Sequence, residues 1–177
     1  MRKTRAKGAE TFSLKRTEVV KKLNASLHKP EWQSPQNGVY YPVWAAGDVS
    51  NYPDKKVFEK RRRLEHWDHA VEQGRCAVRN MMGKPQPFIH VPYFFSDLFD
   101  LSYEFWGDAE GPDDVVYRGK MDSGKFSVWW FRRERLVAAF VMSRPEEERE
   151  LAPKWIIERT KINRKALRDS KRGLCSI

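Results

Sequence analysis

Cysteine is scarce in this sequence, because only two occur among 177 residues. Cys76 and Cys175 lie far apart and form no CxxC motif, which excludes a disulfide framework and a cysteine-based metal site. So few cysteines are typical of a reducing compartment. We therefore expect the protein in the cytoplasm or an organelle matrix and not among secreted proteins.

Two further features are missing. No stretch approaches the ~18 consecutive apolar residues of a membrane-spanning helix, so no membrane span is predicted. The pattern GxGxxG, which holds a dinucleotide pyrophosphate at the start of a Rossmann-type unit, does not occur. Hydrophobic residues nevertheless make up 40% of the chain and seven residues are Trp, which predicts a folded core and excludes a disordered protein.

Positive charge exceeds negative charge. Lys and Arg number 34 against 24 Asp and Glu, which gives a formal net charge of +10. Residues 1–29, 55–63 and 159–172 hold much of the excess, whereas 96–114 is acidic. This balance favours acidic partners, among them nucleic acid. The basic runs lack the interleaved aromatic residues on which bases stack, so we expect little nucleic-acid binding at physiological salt.

The first half of the chain combines basic loops with one strand and one helix. Residues 1–36 form a polar, basic extension, 39–47 ("VYYPVWAAG") predicts a short buried strand, and 50–63 predicts a basic loop. A helix is predicted over 68–82, and Gly83 is well placed to end it. The apolar stripe of this helix, which we expect to face the core, consists of Ala70, Val71, Gly74, Ala77, Val78, Met81 and Met82.

The second half changes to the period of β-strands. Alternating apolar residues at 101–105 and the runs "VVYRG", "KFSVWWF" and "RLVAAFVM" predict strands, with tight turns at "MDSG" and "RRE". Residues 88–145 should therefore form an antiparallel sheet. If 126–131 is a strand, Trp129 and Trp130 face opposite sides of it. One of the two should lie in the core, while the other, exposed, could mark an interface.

The chain is predicted to end with a helix and a basic tail. The run "PEEERELAPKWIIERT" predicts a helix with acidic residues in its first turn, which suits the helix dipole. Pro153 is expected to break this helix in two, because proline cannot donate the interior hydrogen bond. The tail after Asn163 is expected to be loosely attached.

The junction between strand and helix carries the strongest chemical signal. A buried strand that ends in Gly47 and Asp48 is a common way to meet a sugar-phosphate ligand at the carboxyl end of a sheet. The glycine lets a ligand approach the backbone, and the carboxylate can accept hydrogen bonds from hydroxyl groups. The alternative is that Asp48 is only a turn residue.

The segments around this junction resemble a known family. The stretches "VWAAGDVSNYP", "RRRLEHWDHAVEQGRCAVRNMMG" and "VPYFFSDLFDLSYEFWGD" closely resemble the C-terminal third of FAD-dependent ferredoxin reductases and apoptosis-inducing-factor-like oxidoreductases. The strong resemblance covers about residues 39–107, and a weaker one continues to about residue 165. It implies an α+β fold, in which the end of an FAD-binding Rossmann-type domain precedes an antiparallel sheet with flanking helices.

The resemblance also implies which residues contact FAD. In that family the Asp of the Gly-Asp motif binds the ribityl chain, the next segment lies beside the isoalloxazine ring, and the following helix points its N-terminus at the ring. The "PYFFSD" element brings an aromatic side chain near the flavin, with Phe95 where the family usually has Trp. The implied FAD-binding residues here are Gly47, Asp48, Glu65, His66, Trp67, Phe94 and Phe95.

Four segments follow from this reading. They are a basic extension (1–36), a remnant of the FAD-binding domain (37–86), a reductase C-terminal or interface domain (87–165) and a basic tail (166–177). The expected function is the FAD-contacting part of a truncated or split NAD(P)H:ferredoxin-type oxidoreductase, inactive alone, which pairs with itself or with a chain carrying the other domains. The alternative is a non-enzymatic scaffold whose basic arms bind a protein or nucleic acid.

Some residues have a simpler interpretation. His66, Asp68 and His69 could suggest a metal site, but they lack the H-E-x-x-H spacing, and we predict no metal. Glu65 could cap the helix or pair with an arginine in 61–63. Cys76 occupies an apolar helical position and is expected to be packed and inert.

Overall fold

The computed structural model describes residues 31–33, 40–42 and 44–176, with side chains over 44–175. The strands are β1 (Glu31–Gln33), β2 (Tyr40–Pro42), β3 (Tyr52–Asp54), β4 (Lys60–Arg62), β5 (Tyr93–Leu98), β6 (Leu101–Gly107), β7 (Asp114–Lys120), β8 (Lys125–Arg132) and β9 (Arg135–Met142). The helices are α1 (Trp67–Met81), α2 (Glu146–Glu158) and α3 (Arg164–Arg168). Short 3-10 turns lie at Gly47–Val49, Met121–Ser123 and Leu174–Ser176. Residues 44–92 are called the helix region below and 93–176 the sheet region.

The sheet region contains one five-stranded antiparallel sheet in the order β5-β6-β9-β8-β7. Two of its turns use left-handed backbone, at Gly124 after β7 and at Arg133 after β8, with φ of 65° and 57°. Both turns lie where "MDSG" and "RRE" predicted them. The antiparallel sheet predicted over 88–145 is therefore confirmed, and the α+β fold class with it.

The core lies between one face of this sheet and helix α2. Trp129 is fully buried, and its ring centroid lies 5.6 Å from that of Trp155 on α2. Trp130 points to the other face, where it packs against Phe105 at 5.9 Å. The predicted opposition of the two tryptophans is confirmed, although Trp130 is half-buried instead of exposed.

Helix α2 runs through Pro153 without a break, so the prediction of two helices is wrong. Ala152, Trp155 and Ile156 are buried against the sheet. A proline inside a helix costs about 3 kcal/mol. Burial of large apolar side chains contributes roughly 1.5–3 kcal/mol each, which is enough to offset that cost.

The tail after Asn163 is anchored, which corrects the expectation of loose attachment. Leu167 and Leu174 are buried in the core. The guanidinium of Arg118 on β7 donates hydrogen bonds to the backbone carbonyls of Leu167 (3.0 Å), Asp169 (2.6 Å) and Arg172 (2.6 Å). The tail is held by these hydrogen bonds from a distant strand, which the local composition of the tail does not reveal.

The strand predicted over 39–47 is also wrong in extent and setting. Among the described residues of this stretch, only Tyr40–Pro42 is a strand, and it pairs antiparallel with Glu31–Gln33. Residues 44–46 are extended without strand pairing, and Gly47 opens a 3-10 turn. Pro42 has no amide hydrogen to donate to a ladder, which limits strand pairing there. The basic extension before residue 31 lies outside the described residues.

The predicted loop over 50–63 contains a hairpin instead. Strands β3 and β4 pair antiparallel. Asp108, just after β6, ties this hairpin to the sheet, because Lys60 Nζ lies 2.8 Å and Arg62 Nη2 lies 3.4 Å from its Oδ2. The Arg62 guanidinium also stacks over the Phe58 ring at 4.0 Å. These long-range ion pairs explain why a charged segment forms regular structure.

Helix α1 matches the predicted helix to within one residue, and Gly83 follows it with a φ of +75°. The predicted buried face is right for Ala77, which is buried, but wrong for the last turn. Val78, Met81 and Met82 from the apolar stripe are exposed. The residues that α1 buries are His69, Gln73, Cys76, Ala77 and Asn80. Polar contacts to neighbouring loops, described next, decide which side of the helix faces inward.

Candidate functional site

The predicted Gly-Asp motif forms a tight turn against helix α1. Gly47 has a φ of +76°, and a Cβ added there would lie 3.4 Å from Ala70 Cβ. Its N–H donates to Gln73 Oε1 at 2.8 Å, and its carbonyl accepts from Ser50 N–H at 2.8 Å. Asp48 is exposed, and among the described residues its carboxylate has no ion pair. The turn therefore presents an available acceptor beside the helix.

The N-terminus of α1 is uncapped by any side chain. His66 is the N-cap residue in extended backbone, and its carbonyl accepts the first helical hydrogen bond, from Ala70 N–H, at 3.0 Å. The preceding backbone N–H groups of the first turn have no intrahelical acceptor. With the partial positive charge of the helix dipole they favour an anionic or carbonyl-bearing ligand. Trp67, 77% exposed, borders the same end.

The two phenylalanines of "PYFFSD" lie on opposite faces of β5. The Phe94 ring lies 5.7 Å from the His66 ring, so it borders the N-terminus of α1. The Phe95 ring stacks on Tyr93 at 5.8 Å and is 53% exposed. The alternation of side chains along a strand causes this separation. The structure thus brings Phe94 to His66 and directs Phe95 to the other side of the strand.

Glu65 lies apart from the helix cap. Its carboxylate pairs with Arg63 Nη2 at 2.8 Å, and both side chains are exposed. The interpretation of Glu65 as an ion-paired carboxylate is therefore confirmed, and the capping alternative is wrong. Exposed pairs of this kind contribute little to stability.

Sequence reasoning missed three buried polar side chains of α1. Gln73 holds the Gly47 turn, while Asn80 Oδ1 accepts from Gln86 N–H at 2.7 Å and so holds the segment that leads to β5. His69 packs against Tyr52 and Phe88, with ring centroids 5.1 and 5.2 Å away. Burial lowers the pKa of His69 from 6.5 to about 3, so its imidazole is neutral at pH 7. Their helical spacing was the signal that could have found them.

Cys76 belongs to the same buried side of α1. Its Sγ lies 3.7 Å from Asn80 Nδ2 and 3.8 Å from the Gln86 carbonyl. Burial raises the pKa of this thiol. A protonated, packed thiol is a poor nucleophile, which agrees with the expected structural role.

The described residues offer no other chemistry of the common kinds. Over these residues, no group of three or more His, Cys, Asp or Glu side chains converges as a metal site. None of the described helices is long and apolar enough to cross a membrane. What remains is an exposed carboxylate, uncapped helix N–H groups and a phenylalanine ring around one helix end, groups that are able to make hydrogen bonds and apolar contacts.

Comparison with known proteins shows what the chain is similar to. Residues 93–177 match the Reductase C-terminal family model. The chain is 39% identical over 115 residues to peroxisomal monodehydroascorbate reductase 4 of Arabidopsis thaliana, over 63% of this chain and 23% of that protein. It is 31% identical over 101 residues to apoptosis-inducing factor 3 of Homo sapiens, over 57% of this chain and 17% of that protein.

A solved structure shares the fold. It is the covalent complex of putidaredoxin reductase with putidaredoxin, which superimposes with a TM-score of 0.70 and 25% identity, over 76% of this chain and 32% of that chain. The chain thus spans less than a third of the length of each of these three relatives. Residues 93–177 thus match the Reductase C-terminal family model, and the chain is similar to the C-terminal part of FAD-dependent ferredoxin reductases and apoptosis-inducing-factor-like proteins.

Proposed function

We propose that this chain supplies the FAD-contacting segment and the interface domain of an FAD-dependent NAD(P)H:ferredoxin-type oxidoreductase. FAD held there would supply the redox chemistry of such an enzyme, the transfer of electrons from NAD(P)H to an acceptor. The observation that carries the proposal is the meeting of the Gly47–Asp48 turn and Phe94 at the uncapped N-terminus of α1. Three sequence-distant segments converge there.

The residues present fit part of an FAD molecule. The positive φ of Gly47 favours glycine, because a larger residue there would need strained backbone, and the turn can therefore lie close to Ala70 of α1. The Asp48 carboxylate can accept hydrogen bonds from the ribityl hydroxyls. The uncapped N–H groups of α1 suit the carbonyl edge of the flavin ring, where negative charge gathers on reduction.

The aromatic side chains would hold the ring system in place. Phe94 offers an apolar face next to His66, whereas Phe95 lies on the other side of β5, away from the helix end. Trp67, exposed beside the helix end, adds apolar surface that excludes water. Glu65 would act only from a distance, because its carboxylate is paired with Arg63.

The electron acceptor is proposed to be an acidic electron-carrier protein. The formal net charge of +10 favours such a partner, since opposite charge speeds encounter. The solved relative in complex with putidaredoxin supports this class of partner. Assembly with a chain that carries the FAD- and NAD-binding domains, or with a second copy, stays a prediction, as does the reducing compartment.

The scaffold alternative gains no support from the C-terminal arm. Arg159 Nη2 pairs with Glu59 at 2.6 Å, and Arg164 Nη1 pairs with Asp114 at 2.8 Å. Part of the positive charge in 159–172 is therefore neutralised within the fold. The other arm, 1–29, lies outside the described residues, so nucleic-acid binding there stays a prediction.

The decisive experiment is an FAD titration of the chain mixed with the FAD- and NAD-binding part of a related reductase. Wild type should bind FAD in the mixture, whereas the chain alone should be colourless and should not oxidise NAD(P)H. Asp48→Ala removes a charge-assisted hydrogen bond worth about 1.5–3 kcal/mol, so FAD affinity should fall roughly tenfold to a hundredfold. Flavin fluorescence measures the change.

Asp122→Ala is the matched control, because Asp122 also lies in an exposed three-residue 3-10 turn, at the far end of β7. This variant should leave FAD affinity unchanged. Equal affinity of Asp48→Ala and wild type would make Asp48 a mere turn residue. Absence of FAD binding by the wild-type mixture would refute the proposed function.

A further inference from the structure

We propose that Gln73 is a positioning residue for FAD, because its side chain fixes the turn that presents Asp48. The inference rests on the proposed function and extends it to a residue that does not itself face the ligand. It concerns the direction in which the Asp48 carboxylate points relative to the N-terminus of α1.

The hydrogen bond between Gln73 and Gly47 is the link on which the inference depends. Gln73 is fully buried, and its Oε1 accepts from Gly47 N–H at 2.8 Å across 26 residues of sequence. The turn also has its internal bond from Ser50 N–H to the Gly47 carbonyl. Asp48 and Val49 are exposed and show no hydrogen bond to the helix among the described residues. Gln73 is thus what holds this turn to α1 by hydrogen bonding.

Stability alone is a weak reason for a glutamine at this position. Gln73 Nε2 is buried and has no hydrogen-bond partner within the described part of the chain. Leaving a buried donor unpaired costs at least as much as one neutral hydrogen bond contributes. An apolar residue of similar size would avoid that cost but would leave the Gly47 N–H without its acceptor. The presence of an amide at this position is explained by its oxygen, which accepts the Gly47 N–H and so holds the turn.

The geometry of α1 explains why the hydrogen bond from Gly47 to Gln73 matters for the ligand. The first turn of the helix presents free N–H groups at Trp67 and Asp68, and the second turn carries Gln73. Both contact points, the helix end and the Asp48 carboxylate, are thereby fixed to one rigid element. Without the Gln73 bond, Gly47 could rotate freely, because glycine has few steric limits on φ and ψ. Asp48 would then lose its fixed position relative to the helix end.

Four variants on the same helix face test the inference in the full chain. Gln73→Met keeps the size of the side chain and removes the acceptor, and Gln73→Asn keeps an amide that is too short. Gln73→Glu keeps an acceptor at the same reach. Asn80→Leu is the matched control, because it removes a buried amide that holds Gln86 instead of Gly47.

The first readout is hydrogen exchange of individual backbone amides, measured by NMR without FAD. Gln73→Met and Gln73→Asn should speed exchange of the Gly47 amide about tenfold and leave the Gln86 amide unchanged, which corresponds to one lost hydrogen bond. Asn80→Leu should speed exchange of the Gln86 amide and leave the Gly47 amide unchanged. Gln73→Glu should keep the Gly47 amide protected.

The second readout is FAD affinity in the mixture with the FAD- and NAD-binding part. Gln73→Met and Gln73→Asn should weaken FAD binding about tenfold, with Gln73→Glu and Asn80→Leu close to wild type. If Gln73→Met and Gln73→Asn both leave the hydrogen-exchange rate of the Gly47 amide unchanged, the inference is overturned and the proposed function stays intact. Faster exchange with undiminished FAD affinity would overturn it as well. A wild-type mixture that binds no FAD overturns the proposed function, and the inference with it.

Discussion

The sheet region and the helix region differ in how far their buried polar groups are paired by hydrogen bonds. In the sheet region the buried Glu148 carboxylate accepts hydrogen bonds from Arg118 Nε (2.9 Å), Arg144 Nη2 (2.6 Å) and Ser127 Oγ (2.5 Å). In the helix region the Tyr52 hydroxyl, both ring nitrogens of His69 and Gln73 Nε2 are buried without a partner among the described residues.

Exposed apolar side chains, in contrast, occur in both regions, among them Leu98 (59%) and Phe99 (96%) where β5 turns into β6. The largest buried side chains of the sheet region, such as Trp129 and Phe131, form its core. In the helix region Trp67, Val78 and Met82 are exposed at 77%, 54% and 69%. Buried polar groups in native proteins are normally paired, and large exposed apolar patches mark contact sites. The two regions therefore differ in the pairing of their buried polar side chains, while both present apolar surface for contact.

The largest effect should come from the two tryptophans. Trp129→Ala leaves a cavity in the packed core and should lower the free energy of unfolding by about 3–5 kcal/mol. Trp67→Ala changes an exposed side chain and should stay within about 0.5 kcal/mol of wild type. Urea unfolding of both variants measures the difference. Equal losses would break the contrast between the two regions.

Glu148 tests the satisfied network of the sheet region. Glu148→Ala leaves the buried Arg118 guanidinium without its carboxylate, and removing one partner of a buried ion pair costs about 3–5 kcal/mol. The remaining carbonyl acceptors of Arg118 should keep the loss at the lower end of that range. Glu150→Ala, an exposed change on the same helix, is the control and should be nearly neutral. Thermal unfolding that ranks Glu150→Ala as the more damaging change would contradict the network.

His69 tests the helix region by pH. Burial lowers its pKa from 6.5 to about 3, so below pH 6.5 the unfolded chain binds a proton that the folded chain does not. The stability that the neutral ring contributes is complete above pH 6.5 and is lost as the pH falls toward 3. Between pH 7 and pH 5, wild type should lose at most about 2 kcal/mol more than His69→Phe.

His66→Phe is the control for this pH experiment. It removes the imidazole at the N-cap and leaves His69 in place. Between pH 7 and pH 5, the free energy of unfolding of His66→Phe should fall by as much as that of wild type. If His69→Phe kept that loss too, the buried imidazole would not be its source.

The smallest effect is expected at two glycines of the helix region. Gly74 lies inside α1, and a Cβ there would meet no heavy atom within 4 Å, so Gly74→Ala should stabilise the chain by about 0.5–1 kcal/mol. Gly83 has a φ of +75°, so Gly83→Ala should destabilise it by about 1–2 kcal/mol. Opposite signs in thermal unfolding are expected. A destabilising Gly74→Ala would mean that this side of α1 is already covered in the folded chain.

Local patterns were sufficient for most of the fold. The apolar alternation of 101–105 and the runs from 114 to 142 predicted the strands, because each strand needs one face toward the core. Turn residues such as Gly124 predicted the connections. The helix at 67–81 followed from its period, with Gly83 as its stop. These features depend on neighbours in sequence, so the sequence shows them directly.

The candidate site was predicted as a set of residues but not as a geometry. The family resemblance supplied Asp48, His66, Phe94, Phe95 and Glu65. The fold groups the Gly-Asp turn with Phe94 and His66 at one helix end, directs Phe95 to the other side of β5 and pairs the Glu65 carboxylate with Arg63. Strand alternation was available in the sequence as a reason for the split between the two phenylalanines. No pattern indicated that Gln73 holds the turn.

The sequence by itself determined the order of helices and strands, the turns between them and the family, since all of these depend on local periodicity and motifs. Only the tertiary structure decided which side of α1 is buried and where the tail is fixed. Gln73 reaches Gly47 across 26 residues, and Arg118 reaches carbonyls up to 54 residues away. Hydrogen bonds between residues so far apart in sequence depend on how the elements pack. This packing buries polar residues of α1 and leaves Val78, Met81 and Met82 of the apolar stripe exposed.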